Sequence, residues 1–368
     1  MKVAFDHQIF GWQEYGGISR YAYELAAGLS TSCEQEVAII SPLYVNKYLA
    51  HAPQQLKIQG RQVPAFKRSG RVYRAINSVL ARPLIERFAP DLVHETYYAA
   101  GGVAPRSAKV VLTVYDMIHE RFPEYFSIAS PTRREKALAV ARADHVICIS
   151  DQTKLDLIEF LGVSPAKISV VHLGFSLTAT PQATVDGGAL SGQFVLYVGA
   201  RSGHKNFVGL LHAYADSQLL KDEFDLVCFG GGELTAKERE LIKELGIPAE
   251  KVRQVSGNDG LLGRYYQAAR AFVYPSMYEG FGIPPLEAMS FGCPVICSNT
   301  SSIPEVVGDA AVQFDPANYE SMQKAIENVV GNDKLRKNLI QKGNDRLGCF
   351  SWERCARETL DVYRRVCS

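Results

Sequence analysis

No apolar run in this 368-residue chain approaches the roughly 20 residues that a membrane-crossing helix needs, so an integral membrane span is not expected. The opening Met1-Lys-Val-Ala-Phe5 is too short for the apolar part of a signal peptide and runs straight into polar residues. A cytoplasmic location is therefore expected. Charge is also in short supply. The formal net charge is +1, which excludes a global polyelectrolyte attraction to nucleic acid. The eight cysteines stand at 33, 148, 228, 293, 297, 349, 355 and 367, with no CxxC pair and no regular spacing. Several sit in apolar runs such as Val146-Ile-Cys148-Ile, where a buried thiol behaves as a small hydrophobe. Neither a disulfide framework nor a zinc site is expected. The dinucleotide fingerprint GxGxxG is missing, which disfavours a nicotinamide dehydrogenase. No Asp-x-Asp stands where it would suggest a metal-held diphosphate.

What is present reads as a globular chain of about two domains, 47% hydrophobic and 21% charged. Lys2-Val-Ala-Phe5 reads as a strand, followed by Asp6-His7-Gln8 and then Tyr15-Gly16-Gly17-Ile18-Ser19-Arg20-Tyr21. A helix follows, with Ile18, Tyr21, Leu25 and Leu29 at helical spacing. Further β runs appear at Glu36–Ile40, Leu92–His94, Val110–Val114 and His145–Ile149, with helical patterns between most of them. Strands alternating with helices predict an α/β fold with mostly parallel sheets. In such sheets ligands gather beyond the carboxyl ends of the strands. Two of those ends are polar: His94-Glu95-Thr96, and Tyr115-Asp116-Met-Ile-His119-Glu120. Asp116 follows directly on an apolar strand, which puts it at the rim; a turn or capping aspartate is the competing reading.

Between Lys57 and Arg87, eight basic residues (Lys57, Arg61, Lys67, Arg68, Arg71, Arg74, Arg82, Arg87) face one acid, Glu86. Val72, Ile76, Val79 and Leu80 are interleaved at helical spacing. The stretch suits an anionic membrane surface, through Lys67, Arg68, Arg71 and Arg74, or a diphosphate-bearing acceptor. A solvated basic face on a helix packed against its own sheet explains it as well.

Residues 177–193 are rich in Thr, Ala, Gly and Ser without a period, and read as a linker. A second α/β series begins at Phe194–Val198. Its first turn, Gly199-Ala-Arg201-Ser-Gly203-His204-Lys205-Asn206, places a guanidinium and an ammonium just ahead of a helix. Such a turn suits a diphosphate, through charge and the N–H groups of the helix start. Another strand ends in Phe229-Gly230-Gly231-Gly232. The stretch that organises the chain is Tyr274-Pro-Ser-Met-Tyr278-Glu279-Gly-Phe281-Gly282-Ile283-Pro284-Pro-Leu-Glu287. It reads as a strand end opening into a helix around a bound molecule. Its two carboxylates, with seven residues between them, suit vicinal hydroxyls of a sugar or ribose. The final pattern, Trp352 through Val366, is a helix whose packing site periodicity leaves open.

These motifs in this order resemble retaining glycosyltransferases of family 4, and the match covers nearly the whole length. Glu279 and Glu287 resemble the E-x7-E signature of that family, and Gly199–Asn206 its diphosphate turn. Gly16-Gly17-Ile18-Ser19-Arg20-Tyr21 resembles its N-terminal glycine loop, and Ser298 through Asp309 the segment after the signature. The resemblance implies the GT-B fold: two Rossmann-like domains whose parallel sheets face each other across a cleft, with the C-terminal helix crossing back to the N-terminal domain. The domains expected are an acceptor-binding one at 1–176, completed by helix 351–368, and a donor-binding one at 194–350.

By motif position, Arg201 and Lys205 would hold the donor diphosphate, Glu287 the ribose and Glu279 hydroxyls of the transferred sugar. Gly16, Gly17, Asn206, Gly230, Phe281, Gly282 and Ile283 would line the donor site. Asp116 inherits a catalytic position in which the family often has a His-Asp pair; here Tyr115 replaces the histidine. His119 and Arg20 are the acceptor-side candidates. The substrate would be a nucleotide-sugar, with no cofactor and no essential metal, because Arg201 and Lys205 would stabilise the leaving diphosphate. The likeness is strongest to bacterial mannosyl- and rhamnosyltransferases of surface-polysaccharide (O-antigen) assembly. It points to GDP-mannose as donor and a lipid-linked saccharide at the inner membrane face as acceptor. GDP- or dTDP-rhamnose, a UDP-sugar, a nucleotide-sugar epimerase and a non-catalytic sugar-nucleotide binding module are the alternatives.

Overall fold

A computed structural model describes residues 1–127, 130–175, 193–201 and 203–368. All of the expected linker except its last residue, Gln193, lies outside the described residues. The chain divides into two compact units, Met1–Gly174 with Phe350–Ser368, and Phe175–Cys349.

The first unit is built on a seven-stranded sheet, in the order β3-β2-β1-β4-β5-β6-β7. Its strands are β1 (Lys2–Phe5), β2 (Glu36–Tyr44), β3 (Lys57–Gln62), β4 (Leu92–Glu95), β5 (Lys109–Val114), β6 (His145–Cys148) and β7 (Ile168–Val170). All pairings are parallel. Strands covered on both faces read as near-continuous apolar runs, and Val3, Ala4, Phe5, Val111, Leu112 and Val114 are indeed fully buried. The edge strand β3 breaks that rule. Its sequence Lys-Ile-Gln-Gly-Arg-Gln is largely exposed, so no apolar pattern announces it. Lys57 and Arg61 therefore lie on a strand, and only the part of the basic stretch from Ser69 to Phe88 is helical.

The second unit repeats the arrangement with six strands, β8 (Phe194–Val198), β9 (Asp225–Phe229), β10 (Val252–Val255), β11 (Ala271–Tyr274), β12 (Val295–Ser298) and β13 (Ala311–Phe314). Their order is β10-β9-β8-β11-β12-β13, again all parallel. In both sheets the chain runs outward from the first strand, then returns to lay its fourth strand against the first. The crevice at that reversal, between β1 and β4 and between β8 and β11, is where doubly wound sheets bind ligands.

The last helix, Trp352–Cys367, packs in the first unit. Ser351 caps it by accepting from the Arg354 N–H at 3.1 Å. Its buried stripe (Cys355, Ala356, Thr359, Leu360, Tyr363) meets the helix Gly17–Thr31. The approach is close: a Cβ on Gly28 would stand 2.9 Å from the Cβ of Ala356. Tyr363 then reaches the sheet, where its hydroxyl bonds Nδ1 of His94. The other ring nitrogen of His94 meets Thr113 Oγ1 at 2.9 Å, and Tyr21 Oη lies 3.1 Å from the same hydroxyl. His94 is thus a structural link in the core and does not face the rim. Burial without a counter-charge pulls its pKa down to about 3.

Candidate functional site

In the second unit the turn after β8 begins at Gly199 and ends at Asn206, which opens the helix Phe207–Ala215 from a left-handed conformation. Asn206 makes no side-chain cap; its amide donates to Pro316 O at 2.9 Å and ties this turn to the loop after β13. Without a capping side chain, the N–H groups of the first helical turn stay directed toward the strand ends. The side chain of Arg201 is almost fully buried. It donates from Nε to Glu238 at 2.8 Å, from Nη1 to Gly230 O at 3.0 Å, and from Nη2 to Gly232 O at 2.9 Å and Glu233 O at 2.8 Å. Those bonds use four of the five N–H groups of a guanidinium. Gly230, Gly231 and Gly232 all have positive φ (82°, 70° and 76°), a run that only glycine adopts without strain. Arg201 therefore holds the glycine loop after β9 in place, rather than presenting its whole fork to a ligand.

Lys205 does face the crevice. Its ammonium donates to both oxygens of Glu279, at 2.7 and 2.9 Å, with 27% of the lysine side chain and 13% of the glutamate exposed. Glu279 lies in the turn between β11 and the helix Ile283–Ser290. Ser301 fixes its backbone, accepting from the Glu279 N–H at 3.2 Å and donating to its carbonyl at 2.7 Å. Ser302 donates to the carbonyls of Glu279 and Phe281. Ser301 pays for this with a left-handed backbone, φ 57°, uncommon for a residue with a Cβ. The buried Tyr274 hydroxyl also bonds the Glu279 carboxylate; burial first, then that negative charge, raises the tyrosine pKa well above its ordinary value.

Gly282, at φ 109°, turns the chain into the helix. Pro284 and Pro285 have no N–H, so the backbone donors at this helix start narrow to Ile283 and the residues before it. Glu287 stands one turn further along the same helix, half-buried, with Tyr266 Oη 3.4 Å from its Oε2. The structure thus brings Lys205, Glu279, Gly282 and Ile283 together at one switch point. Three strand ends are tied around them, as Met277 N donates to His204 O at 2.7 Å and Thr300 Oγ1 to Met277 O at 3.1 Å.

The first unit has its own crevice. Asp6, fully buried at the end of β1, accepts from the Thr96 N–H at 2.9 Å, its hydroxyl at 2.6 Å and the Gln8 amide at 2.7 Å. It clamps the ends of β1 and β4 together. Beside it lies a cavity of about 800 Å³, lined by Asp6, His7, Gln8, Arg74, Arg82 and Glu135 among others. Glu95 is buried and held bidentately by Arg142 at 2.7 and 3.1 Å.

Asp116 is at the rim as expected, with 34% of its side chain exposed and Oδ1 accepting from the Ile118 N–H at 3.1 Å. Underneath it is the fully buried Lys136, whose ammonium donates to Asp116 O at 2.8 Å and Glu120 Oε2 at 2.8 Å. His119 stacks on Phe126 with ring centroids 3.9 Å apart, and burial lowers its pKa. Gly16 and Gly17 open the helix Gly17–Thr31, and Arg20 lies 3.8 Å from Glu24 one turn on. Lys67, Arg68 and Arg71 are exposed, whereas Arg74 donates to Tyr98 O at 2.9 Å and Glu135 at 2.8 Å. Arg74, with 38% of its side chain exposed, is thus tied to its neighbours while it stays at the surface.

Reading the sequence gave no role to Asp6, Lys136, Tyr274 or the Ser301–Ser302 pair. Asp6 carries the same signal as Asp116, a carboxylate directly after an apolar strand. Lys136 shares the buried helical stripe of Ala139 and Val140, a spacing that marks an inward-facing lysine.

Two family models match the chain, the Glycosyltransferase Family 4 model over residues 15–179 and the Glycosyl transferases group 1 model over residues 188–346. The chain belongs to the glycosyltransferases of the GT-B fold. Within them it resembles O-antigen mannosyltransferases. It is 29% identical over 371 residues to O-antigen chain mannosyltransferase B of Escherichia coli, covering 95% of this chain and 96% of that protein. It is also 29% identical over 222 residues to O-antigen chain mannosyltransferase RfbU of Salmonella typhimurium, covering 59% and 60%. In fold it is similar to a sucrose-phosphate synthase from Thermosynechococcus elongatus, with a TM-score of 0.73 at 20% identity over 99% of this chain and 98% of that one. No described helix is long and apolar enough to cross a membrane.

Proposed function

We propose that this glycosyltransferase moves a mannosyl residue from GDP-mannose to a lipid-linked saccharide, with retention of anomeric configuration, in the assembly of a bacterial surface polysaccharide. The observation that carries the reading is the Lys205–Glu279 pair at the switch point of the second unit, with Glu287 on the helix that follows. An ammonium with three donors can hold Glu279 and still meet a phosphate oxygen. Lys205 and the N–H groups opening the helix at Phe207 stabilise the leaving diphosphate, whose negative charge grows as the glycosidic bond breaks. Arg201 acts through the glycine loop it braces. Glu287 accepts from the ribose hydroxyls and Glu279 from hydroxyls of the sugar. Glu279 is poorly suited to act as a nucleophile, because Lys205 and Tyr274 already donate to its carboxylate. The acceptor hydroxyl then attacks the same face of an oxocarbenium-like sugar from which the phosphate leaves, and that phosphate takes the proton. On this reading Lys205 and the helix start, in place of a protein-held metal, balance the charge of the leaving diphosphate.

The choice of a mannosyl group and of a surface polysaccharide as product rests on the names of two relatives, which are O-antigen chain mannosyltransferases. Contact with an anionic membrane is supported by one surface of the first unit. Trp12 and Phe66 are exposed there at 55% and 56%, with Arg68 alongside. Apolar anchors flanked by cations are what an interfacial helix needs. The test is transfer of labelled mannose from GDP-mannose to a lipid-linked saccharide, with the anomeric configuration of the product read by NMR. An α-linked product from the α-linked donor is expected. A β-linked product would remove the retaining mechanism, and a free epimerised sugar without a new glycosidic bond would remove the transferase reading.

A further inference from the structure

The loop after β11 has left the sheet, yet its Tyr278 and Phe281 are buried, so its carbonyls need partners that no strand pairing supplies. The end of β12 and the loop beyond it supply them. The sequence Ser298-Asn-Thr300-Ser301-Ser302 puts a hydroxyl at four of five positions, and each donates to a carbonyl on the β11 side. Ser298 meets Tyr274 O at 3.3 Å and Thr300 meets Met277 O at 3.1 Å. Ser301 meets Glu279 O at 2.7 Å, and Ser302 meets Glu279 O and Phe281 O at 2.9 and 2.8 Å. The hydroxyl loop is itself anchored, through the Asn299 N–H on Phe314 O at 2.8 Å.

Glu279 is gripped at both ends. The Ser301 hydroxyl also accepts from the Glu279 N–H at 3.2 Å, so one side chain spans both backbone groups of that residue and sets the direction of its Cα–Cβ bond. At the far end Lys205 and Tyr274 hold the carboxylate. Ser301 stands at φ 57°, where glycine would be relaxed but would offer no hydroxyl. Ser302 fixes the peptide that follows Phe281. A trans peptide sets its N–H opposite its C=O, so the hold on the Phe281 carbonyl turns the Gly282 N–H away from the hydroxyl loop.

We propose that Ser301 and Ser302 are positioning residues for the sugar half of the donor: they set the Glu279 carboxylate and the Gly282 N–H against hydroxyls of the transferred hexose and leave the nucleotide half alone. This rests on the donor reading above, in which Lys205 and Glu287 hold the nucleotide half.

The test is calorimetric titration of the full chain with GDP and GDP-mannose, with UDP and UDP-glucose run alongside. The readout is the ratio of the affinities for nucleotide-sugar and bare nucleotide, which a general loosening of the fold does not move. Ser301→Gly removes the hydroxyl and keeps the positive φ, so it should fold normally. It should lose roughly fivefold in affinity for the nucleotide-sugar, the scale of one lost hydrogen bond, and less than about twofold for the bare nucleotide. Ser302→Ala should move the ratio in the same direction. In a Glu279→Ala background Ser301→Gly should leave the ratio where it is, because Ser301 acts through that carboxylate. A ratio unmoved by Ser301→Gly in the otherwise wild-type chain would overturn the proposal and leave the donor reading standing, as would an equal loss for nucleotide and nucleotide-sugar. A full effect of Ser301→Gly in the Glu279→Ala background would overturn it too. Wild type that binds neither pair would remove the donor reading, and this proposal with it.

Discussion

His94 makes the stability of the first unit fall in mild acid by an amount the structure sets. Its ring is fully buried against Phe5 (centroids 5.0 Å apart), between the hydroxyls of Tyr363 and Thr113, with no anion to receive a proton. Burial lowers its pKa from 6.5 to about 3. A depressed histidine pKa means that the unfolded chain binds the proton first. Stability is complete above pH 6.5 and falls as pH drops toward about 3. Between pH 8 and pH 5 the loss comes to about 2 kcal/mol, from roughly 1.4 kcal/mol per unit over 1.5 units. Glu95 beside it works in the opposite direction: burial pushes its carboxyl up to about 7, so the folded state takes up a proton there as pH falls. Comparison with His94→Gln, neutral throughout, cancels that contribution. The two tryptophans of the chain, Trp12 and Trp352, both lie in the first unit, so their fluorescence in urea follows that unit alone. Wild type should lose about 2 kcal/mol more than His94→Gln between pH 8 and pH 5. Identical pH slopes would refute the buried neutral imidazole and the link it makes to the C-terminal helix.

Other expectations follow from the same contacts. Lys205→Ala leaves Glu279 without its counter-ion and should cost about 1–3 kcal/mol in urea melts of the second unit; adding Glu279→Gln should recover most of that without restoring donor binding. Lys136→Met removes a buried ammonium from Glu120, whose Oε1 already lacks a partner among the described residues, and should destabilise the first unit by about 3–5 kcal/mol. A Lys136→Met/Glu120→Gln pair should be the more stable of the two variants by calorimetry. Gly28→Val drives a side chain into Ala356 and should cost about 1–3 kcal/mol, read as a lower melting temperature with earlier exposure of Trp352. In flotation with anionic vesicles, Lys67→Gln/Arg68→Gln should weaken binding by about 1 kcal/mol per charge, an effect that neutral vesicles should not show.

Much of the architecture was legible in the residues because buried parallel strands advertise themselves. Lys2–Phe5, Val110–Val114, Phe194–Val198 and Ala271–Tyr274 are apolar runs that end in polar rims, and three of those rims, all but that of Val110–Val114, lie at the switch points. The edges were harder to read. β3 and β10 carry Lys, Arg and Gln because one side of an edge strand has no neighbour, so Lys57 and Arg61 passed for part of a basic helix. At the site, the Glu279–Glu287 spacing and Lys205 could be read because helix start and strand end fix where they point. The bracing role of Arg201 could not. Its partners are backbone carbonyls of Gly230, Gly232 and Glu233, some 30 residues away, and a carbonyl leaves no mark in the sequence. Periodicity also left the packing of Trp352–Cys367 open; what settles it is the small Gly28 opposite Ala356 and the Tyr363 hydroxyl on His94.

The most direct test of the donor site is a thermal-shift panel of GDP-mannose, GDP-rhamnose, dTDP-rhamnose, UDP-glucose and UDP-N-acetylglucosamine, run on wild type, Lys205→Ala and Glu287→Ala. A ligand at ~100 times its dissociation constant adds roughly 2.7 kcal/mol, enough to move the melting curve clearly. GDP-mannose should stabilise wild type most, and both variants should melt as they do without ligand. A shift of equal size in all three folded proteins would contradict a donor site built on Lys205, Glu279 and Glu287.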